Sequence, residues 1–258
     1  MKRFLGVLQF MTRIPVPVDT GFDKEFHKGM IYFPLVGLVL GVCYYVVALL
    51  GLRFFNEYIT TILILGAEVI LTGGLHLDGL GDTFDGLYSY RDKDRILEIM
   101  KDSRLGTNGL LAILLILMLK VGFIYEVVNQ YVLWILIVMP AVARTMQVVA
   151  CYKTTTPREN GMGNTFIGKV STKRLMGTYA MLLLVMVMMG FIVRMWFVEW
   201  FGVVAIVSGT VAVLTLWTKL FVRSVYKKID GITGDILGAI CELAELLFLI
   251  VLYLISYL

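Results

Sequence analysis

Residues 108–128 read NGLLAILLILMLKVGFIYEVV, a run interrupted by one lysine at 120 and one glutamate at 126. At 1.5 Å per residue a helix of this length rises about 30 Å, the thickness of a bilayer's hydrocarbon layer. Backbone amides find no water in lipid, so such a run must satisfy them within a helix. Six more runs share its character: 31–52, 58–76, 131–152, 176–197, 200–226 and 236–258. The 200–226 run exceeds what a crossing needs, and its polar end with Lys219 and Arg223 is expected to project from the bilayer. The 258 residues are 59% hydrophobic and 16% charged, with a mean hydropathy of +0.85; a soluble domain carries about 25% charged residues. The expected fold class is all-α: a polytopic membrane helical bundle of about seven transmembrane helices. It forms one domain over 1–258, with no internal repeat or linker.

Basic residues orient the bundle. Segments 1–30, 76–107, 153–175 and 219–235 hold 19 of the 23 Lys and Arg. With seven crossings these four segments fall on one side; the opposite loops hold only Arg53 and Arg194. Cytoplasmic loops are the Lys- and Arg-rich ones, so a multi-pass protein of the cytoplasmic membrane is expected, with its amino terminus inside and its carboxyl terminus outside. No cleavable signal is expected before the first crossing, because the first thirty residues are polar and basic. Phe4, Leu5, Val7, Leu8 and Met11 recur at helical spacing until Pro15 and Pro17, which suits a short interfacial helix. A net charge of +4 requires no acidic partner beyond membrane lipid, and nothing points to nucleic acid. Cys43, Cys151 and Cys241 sit singly in apolar runs and read as small buried hydrophobes.

Chemistry concentrates in Gly73-Gly74-Leu75-His76-Leu77-Asp78-Gly79-Leu80-Gly81-Asp82-Thr83-Phe84-Asp85-Gly86, read as continuing the second crossing without a break. Asp78, Asp82 and Asp85 stand at i, i+4 and i+7, within about 60° of one helix face. Carboxylates packed so closely repel one another, and a divalent cation relieves the repulsion. Hard oxygen donors with room for water and phosphate suit Mg²⁺. The glycines let substrate or another helix approach the backbone. Asp230, Asp235, Glu242 and Glu245 form a second acidic set around the start of the last crossing. Asp235 and Glu242 share a face and are expected to join the aspartates as metal ligands. Glu68, deeper in the second crossing, reads either as a neutral hydrogen-bonded acid or as a catalytic group.

Cationic partners are at hand. Lys101-Asp102-Ser103-Arg104-Leu105-Gly106-Thr107-Asn108-Gly109 leads into the third crossing and resembles a phosphate site, with Lys101, Arg104 and the Gly106 backbone as substrate contacts. Arg144 lies about two turns inside the fourth crossing, either contacting phosphate or snorkelling. The loop from Arg158 to Phe166, with Gly163, reads as a lid or substrate loop. His76 is turned away from the aspartate row and reads either as a general base or as a structural histidine. Carboxylates, Mg²⁺ and arginine together point to phosphoryl transfer, with Asp82, Asp85 and His76 as the catalytic candidates.

These motifs resemble those of the cobalamin synthase family, the adenosylcobinamide-GDP ribazoletransferases. The likeness starts at Phe10-Met11-Thr12-Arg13-Ile14-Pro15-Val16-Pro17 and is strongest from His76 to Gly86. It continues through Met100 to Gly109 and Gly161-Met162-Gly163, and ends with Gly231-Ile232-Thr233-Gly234-Asp235-Ile236-Leu237-Gly238-Ala239 and Glu242-Leu243-Ala244-Glu245. Gly81 stands where Ala is more usual in the family, a small-for-small change. The resemblance implies Mg²⁺-dependent joining of adenosylcobinamide-GDP to α-ribazole or its 5′-phosphate. The products would be adenosylcobalamin or its 5′-phosphate, with GMP, in the last steps of cobalamin biosynthesis. Three rival classes fit less well. A CDP-alcohol phosphotransferase needs Asp-x-x-Asp-Gly followed by Ala-Arg. A prenyltransferase needs a second dense aspartate motif. A transporter places its acids near mid-bilayer between repeated halves.

Overall fold

The computed structural model describes residues 2–17, 25–193 and 197–256; Lys24 and Arg194, two of the basic residues used above, lie outside that range. The described residues form ten α-helices and no strand. In order they are α1 (Lys2–Met11), α2 (Phe33–Phe54), α3 (Glu57–Thr72), α4 (Leu75–Leu87), α5 (Lys93–Ile99), α6 (Thr107–Asn129), α7 (Trp134–Cys151), α8 (Thr172–Ile192), α9 (Phe197–Ile229) and α10 (Gly234–Ser256). Short 3₁₀ turns occupy Phe26–Tyr32 and Met162–Thr165.

Six of these helices, α2 and α6 to α10, are long and apolar enough to cross a bilayer, and α3 with α4 forms a bent pair. We count α3 as the seventh crossing, since its 16 residues rise about 24 Å. Three contacts agree, because they join the four basic segments at one end of the bundle. Phe10 packs on Phe166 at 5.5 Å between ring centroids. Lys93 pairs with Asp230 at 2.9 Å. Arg158 pairs with Asp235 at 2.9 Å.

The expectation of an unbroken helix through the aspartate row is not met. The chain turns by 87° between α3 and α4. The cause is the pair Gly73 and Gly74, at φ +63° and +71°, a left-handed conformation that costs glycine little. Their amides close α3 by donating to the carbonyls of Ile70 and Val69 at 3.3 and 3.2 Å. Beyond the turn α4 packs against α10 and α6.

α7 is the axis around which α2, α8, α9 and α10 gather. Every residue from Ile135 to Cys151 is buried, including the polar Arg144, Thr145 and Gln147. α2 lies against it through Gly37 and Gly41, one turn apart. A Cβ on Gly37 would come within 2.3 Å of the Ala141 Cα, and one on Gly41 within 2.3 Å of the Ile137 carbonyl oxygen. Small residues at i and i+4 let two membrane helices touch along their backbones, where dispersion contacts hold them without help from the hydrophobic effect. α1 turns Val7, Leu8 and Met11 inward, and Val7 meets Gly29 of the first 3₁₀ turn.

Candidate active site

The end of the bundle where the basic segments gather contains a cavity of about 320 Å³. α4 supplies His76, Asp78 and Gly79; α10 supplies Asp235 and Gly238; the loop after α7 covers it with Arg158 and the residues around Gly163. Two glycines make the join between α4 and α10 possible. A Cβ on Gly79 would lie 2.9 Å from the Asp235 carbonyl oxygen and 3.1 Å from its Cα, and one on Gly238 would lie 3.1 Å from the His76 carbonyl oxygen. The helices therefore touch backbone to backbone, which brings acids far apart in sequence onto one wall. Gly163 performs the same service for the loop, where a Cβ would meet the Gly234 amide at 2.7 Å.

Asp78 and Asp235 line the cavity. Asp82, one turn along α4 and half-buried, has its carboxyl pushed up to about 7, first by burial and then by the neighbouring charges of Asp235 and Asp78. Arg158 opposes this rise. Its Nη1 donates to Asp235 Oδ2 at 2.9 Å, while Nε and Nη2 are buried and without a partner among the described residues. Thr233 donates to the same Asp235 oxygen at 3.2 Å. Lys101 also reaches the lining, and so does Gln147. The Gln147 amide donates to the Leu237 carbonyl at 3.1 Å, and its own carbonyl oxygen is buried without a donor among the described residues.

Other expected site residues sit elsewhere. Asp85 faces α6, not the cavity: its two oxygens accept from the amides of Gly106 and Gly109 at 2.7 and 2.9 Å. The α6 amino terminus does bind an anion, as its sequence suggests, but the anion is the protein's own Asp85. A Cβ on either glycine would collide with that carboxylate at 2.4 Å. Arg104 is 86% exposed and forks onto Asp102, so it points away from the cavity.

Glu242 parts company with Asp235, seven residues and about 10 Å further along α10. It joins Glu68 and Glu245 around Lys120, whose Nζ donates to the three carboxylates at 2.7, 2.6 and 2.6 Å. Their oxygens cluster within 4.8 Å, a spacing that could ligate a metal ion, but the ammonium already fills this nest. Arg144, fully buried, adds a bond of 3.1 Å to Glu245 and lies inside the bundle. The second acidic set thus splits between the cavity and an internal ion cluster. Arg158 carries the best free donors, yet its loop motif alone did not single it out; no signal in the sequence separates it from the other loop cations.

Fold and site together define a class: a polytopic helical membrane protein with an acid-walled, arginine-capped cavity at one end. A family model described as cobalamin-5-phosphate synthase matches residues 3–253, and the chain belongs to that family. It is similar to a Clostridioides difficile strain 630 protein named adenosylcobinamide-GDP ribazoletransferase, at 50% identity over 100% of this chain and 99% of that protein. Proteins of the same name from Alkaliphilus metalliredigens and Clostridium novyi are 44% and 37% identical, covering 99% and 98% of this chain and 96% of each relative. No solved structure matches the chain.

Proposed function

We propose that this chain is an adenosylcobinamide-GDP ribazoletransferase. It would join adenosylcobinamide-GDP to α-ribazole or its 5′-phosphate and release GMP, with Mg²⁺ as cofactor and the cavity facing the cytoplasm. One observation carries the reading: Asp78 and Asp235, from two helices, line one cavity wall, and Asp82, one turn along α4, feels the charge of both. Hard oxygen donors so placed fit a divalent cation, and these three are the residues that would hold it. When bound, the ion supplies charge neutralisation for a diphosphate and its departing phosphate.

The chain's own residues do the rest. The two free Arg158 donors bind phosphate oxygens, with Lys101 as a second cation at the rim. Gln147 offers its carbonyl to a substrate hydroxyl. The attacking hydroxyl gives its proton to His76, buried in the cavity lining, or to Asp82 where the ion rests on Asp78 and Asp235 alone. The loop around Gly163 shields the site from water. Asp85 acts indirectly, by holding α6 against α4.

A direct test supplies the purified protein with the GDP-activated corrinoid and either α-ribazole or its 5′-phosphate, and follows GMP release with and without Mg²⁺. Release that depends on both the acceptor and the metal is expected. Corrinoid uptake into vesicles without GMP release would overturn the reading in favour of a transporter.

A further inference from the structure

A second cavity, of about 460 Å³, shares no lining residue with the first. It lies between the end of α7, with Tyr152, Lys153 and Thr154, and the stretch of α9 from Thr218 to Tyr226. Val149, Ala150 and Val222 give it an apolar floor, and Lys153, Lys219 and Arg223 supply three cations. None of the three forms an ion pair with a carboxylate among the described residues. Lys153 Nζ lies 5.3 Å from the Tyr152 ring centroid. The Tyr152 phenol is lowered by its hydrogen bond to Thr172, then by a hydrogen bond from Lys153 and the charges of Lys153 and Lys219, so both ammonium groups stand close to it. Lys153 itself holds φ at +56°, a left-handed conformation that side chains bearing a Cβ adopt at a cost.

Thr218 is the second, independent sign. It is 0% exposed, it borders this cavity, and its buried hydroxyl has no hydrogen-bond partner among the described residues. A threonine in an apolar helix ordinarily donates to the carbonyl four residues back, as Thr210 does to Ile206 at 3.0 Å. Thr218 does not, and its donor is left for something in the cavity. The place along α9 also matters. Leu216 and Leu220, 60% and 56% exposed, present apolar surface beside Lys219 and Arg223, where the crossing emerges from the bilayer. Cations and a buried hydroxyl beside exposed leucines suit an amphiphilic anion better than a soluble one.

We propose that this cavity binds the phosphate headgroup of an anionic phospholipid, whose acyl chains run down the exposed face of α9. The headgroup phosphate takes the two lysines, the arginine and the Thr218 hydroxyl. The site stands at the root of the loop that carries Arg158 and Gly163 to the first cavity. Tyr226, in the same lining, accepts the Thr155 amide, so a bound headgroup braces both sides of that root.

The test uses the full chain purified in neutral detergent and native mass spectrometry with added phosphatidylglycerol or phosphatidylcholine. One phosphatidylglycerol per chain is expected to survive activation that strips phosphatidylcholine. The triple variant Lys153→Gln, Lys219→Gln, Arg223→Gln is expected to weaken retention on the order of a hundredfold, since each surface cation is worth roughly a factor of five toward anionic lipid. The charge-matched triple Lys2→Gln, Arg91→Gln, Lys227→Gln is expected to retain the lipid. Should the first triple fail to fold, Arg223→Gln alone is expected to weaken retention about fivefold, and Thr218→Val alone about tenfold, through loss of one hydrogen bond to a charged group. Equal loss in both triples, no effect of either single substitution, or equal retention of phosphatidylcholine overturns the proposal. So does displacement of phosphatidylglycerol by glycerol 3-phosphate, which would assign the cavity to a soluble phosphate.

Discussion

Lys120→Met puts the internal ion cluster to a quantitative test. The lysine donates to Glu68, Glu242 and Glu245 at 2.6, 2.7 and 2.6 Å, and all four side chains are at most 4% exposed. At an effective dielectric of 20, each attraction between full charges is worth roughly 6 kcal/mol. Two carboxylate oxygens at the 4.8 Å limit of the cluster repel by about 3.5 kcal/mol on the same scale. Methionine removes the attraction, so the carboxylates must either repel one another or take up protons, and in both cases their charge-assisted bonds are lost. Breaking a buried pair by deleting one partner costs about 3–5 kcal/mol, which we take as the lower bound here. At roughly 2–4 °C per kcal/mol, the unfolding midpoint in detergent should fall by at least about 6 °C. The assay is the fraction remaining monodisperse after heating. Adding Glu68→Gln and Glu242→Gln to the Lys120→Met chain should recover part of the loss, because fewer unpaired charges stay buried. A midpoint within about 2 °C of the parent, or a further drop on adding the glutamines, would refute the reasoning.

Four other outcomes follow from the geometry. Asp78→Asn and Asp235→Asn should each lower GMP release by about 10²-fold or more while leaving the unfolding midpoint near the parent's; Asp85→Ala should instead cost about 2–3 kcal/mol of stability, because two amides at a helix start lose a charged acceptor. Gly41→Leu should destabilise the α2–α7 contact by about 1–3 kcal/mol or more, read as a lower midpoint, since the Ile137 carbonyl lies only 2.3 Å from the added Cβ. Arg158→Gln should raise KM for the diphosphate substrate, whereas Arg104→Gln, on an exposed side chain, should leave it unchanged in the same steady-state assay. Finally, the Asp82 carboxyl titrates near 7 in the folded chain against an ordinary value of 3.8. The folded state binds the extra proton, so this contribution to stability is full below about pH 4 and is lost as pH rises through 7. Metal-free protein should therefore melt lower at pH 8 than at pH 5, and added Mg²⁺ should raise the midpoint more at pH 8; a flat profile would count against the crowded acid wall.

How much of this was legible beforehand depended on the range of the interaction. The crossings are local: about twenty apolar residues announce themselves in any order of assembly. The aspartate row was legible because i, i+4 and i+7 share a face on any helix, and Asp235 because its segment starts the last crossing on the same side. The break at Gly73 and Gly74 was harder, since two glycines permit a left-handed turn without requiring one. Asp85 shows why shared face is not shared function. A helix face about 60° wide can address two neighbours, and the third aspartate meets the start of α6 while the first meets α10. Glu242 and Lys120 lie 122 residues apart; nothing local in either run names the other as its partner. Gly37 and Gly41 carried a readable small-xxx-small spacing, but only packing shows that α7 is what they touch.

The ion cluster also imposes an order on biogenesis. Lys120 enters the membrane on α6 with only Glu68 made before it; Glu242 and Glu245 follow 122 and 125 residues later, on α10. At roughly 5–20 residues per second of synthesis, the Lys120–Glu68 pair waits about 6–25 s for the rest of the cluster. The helix that then arrives also brings Asp235 to the cavity wall. Docking of α10 therefore settles the buried charge and completes the acid site in one event. A chain truncated before α10 would be left with an exposed polar seam in lipid, a mark by which membrane quality control can recognise an unfinished enzyme.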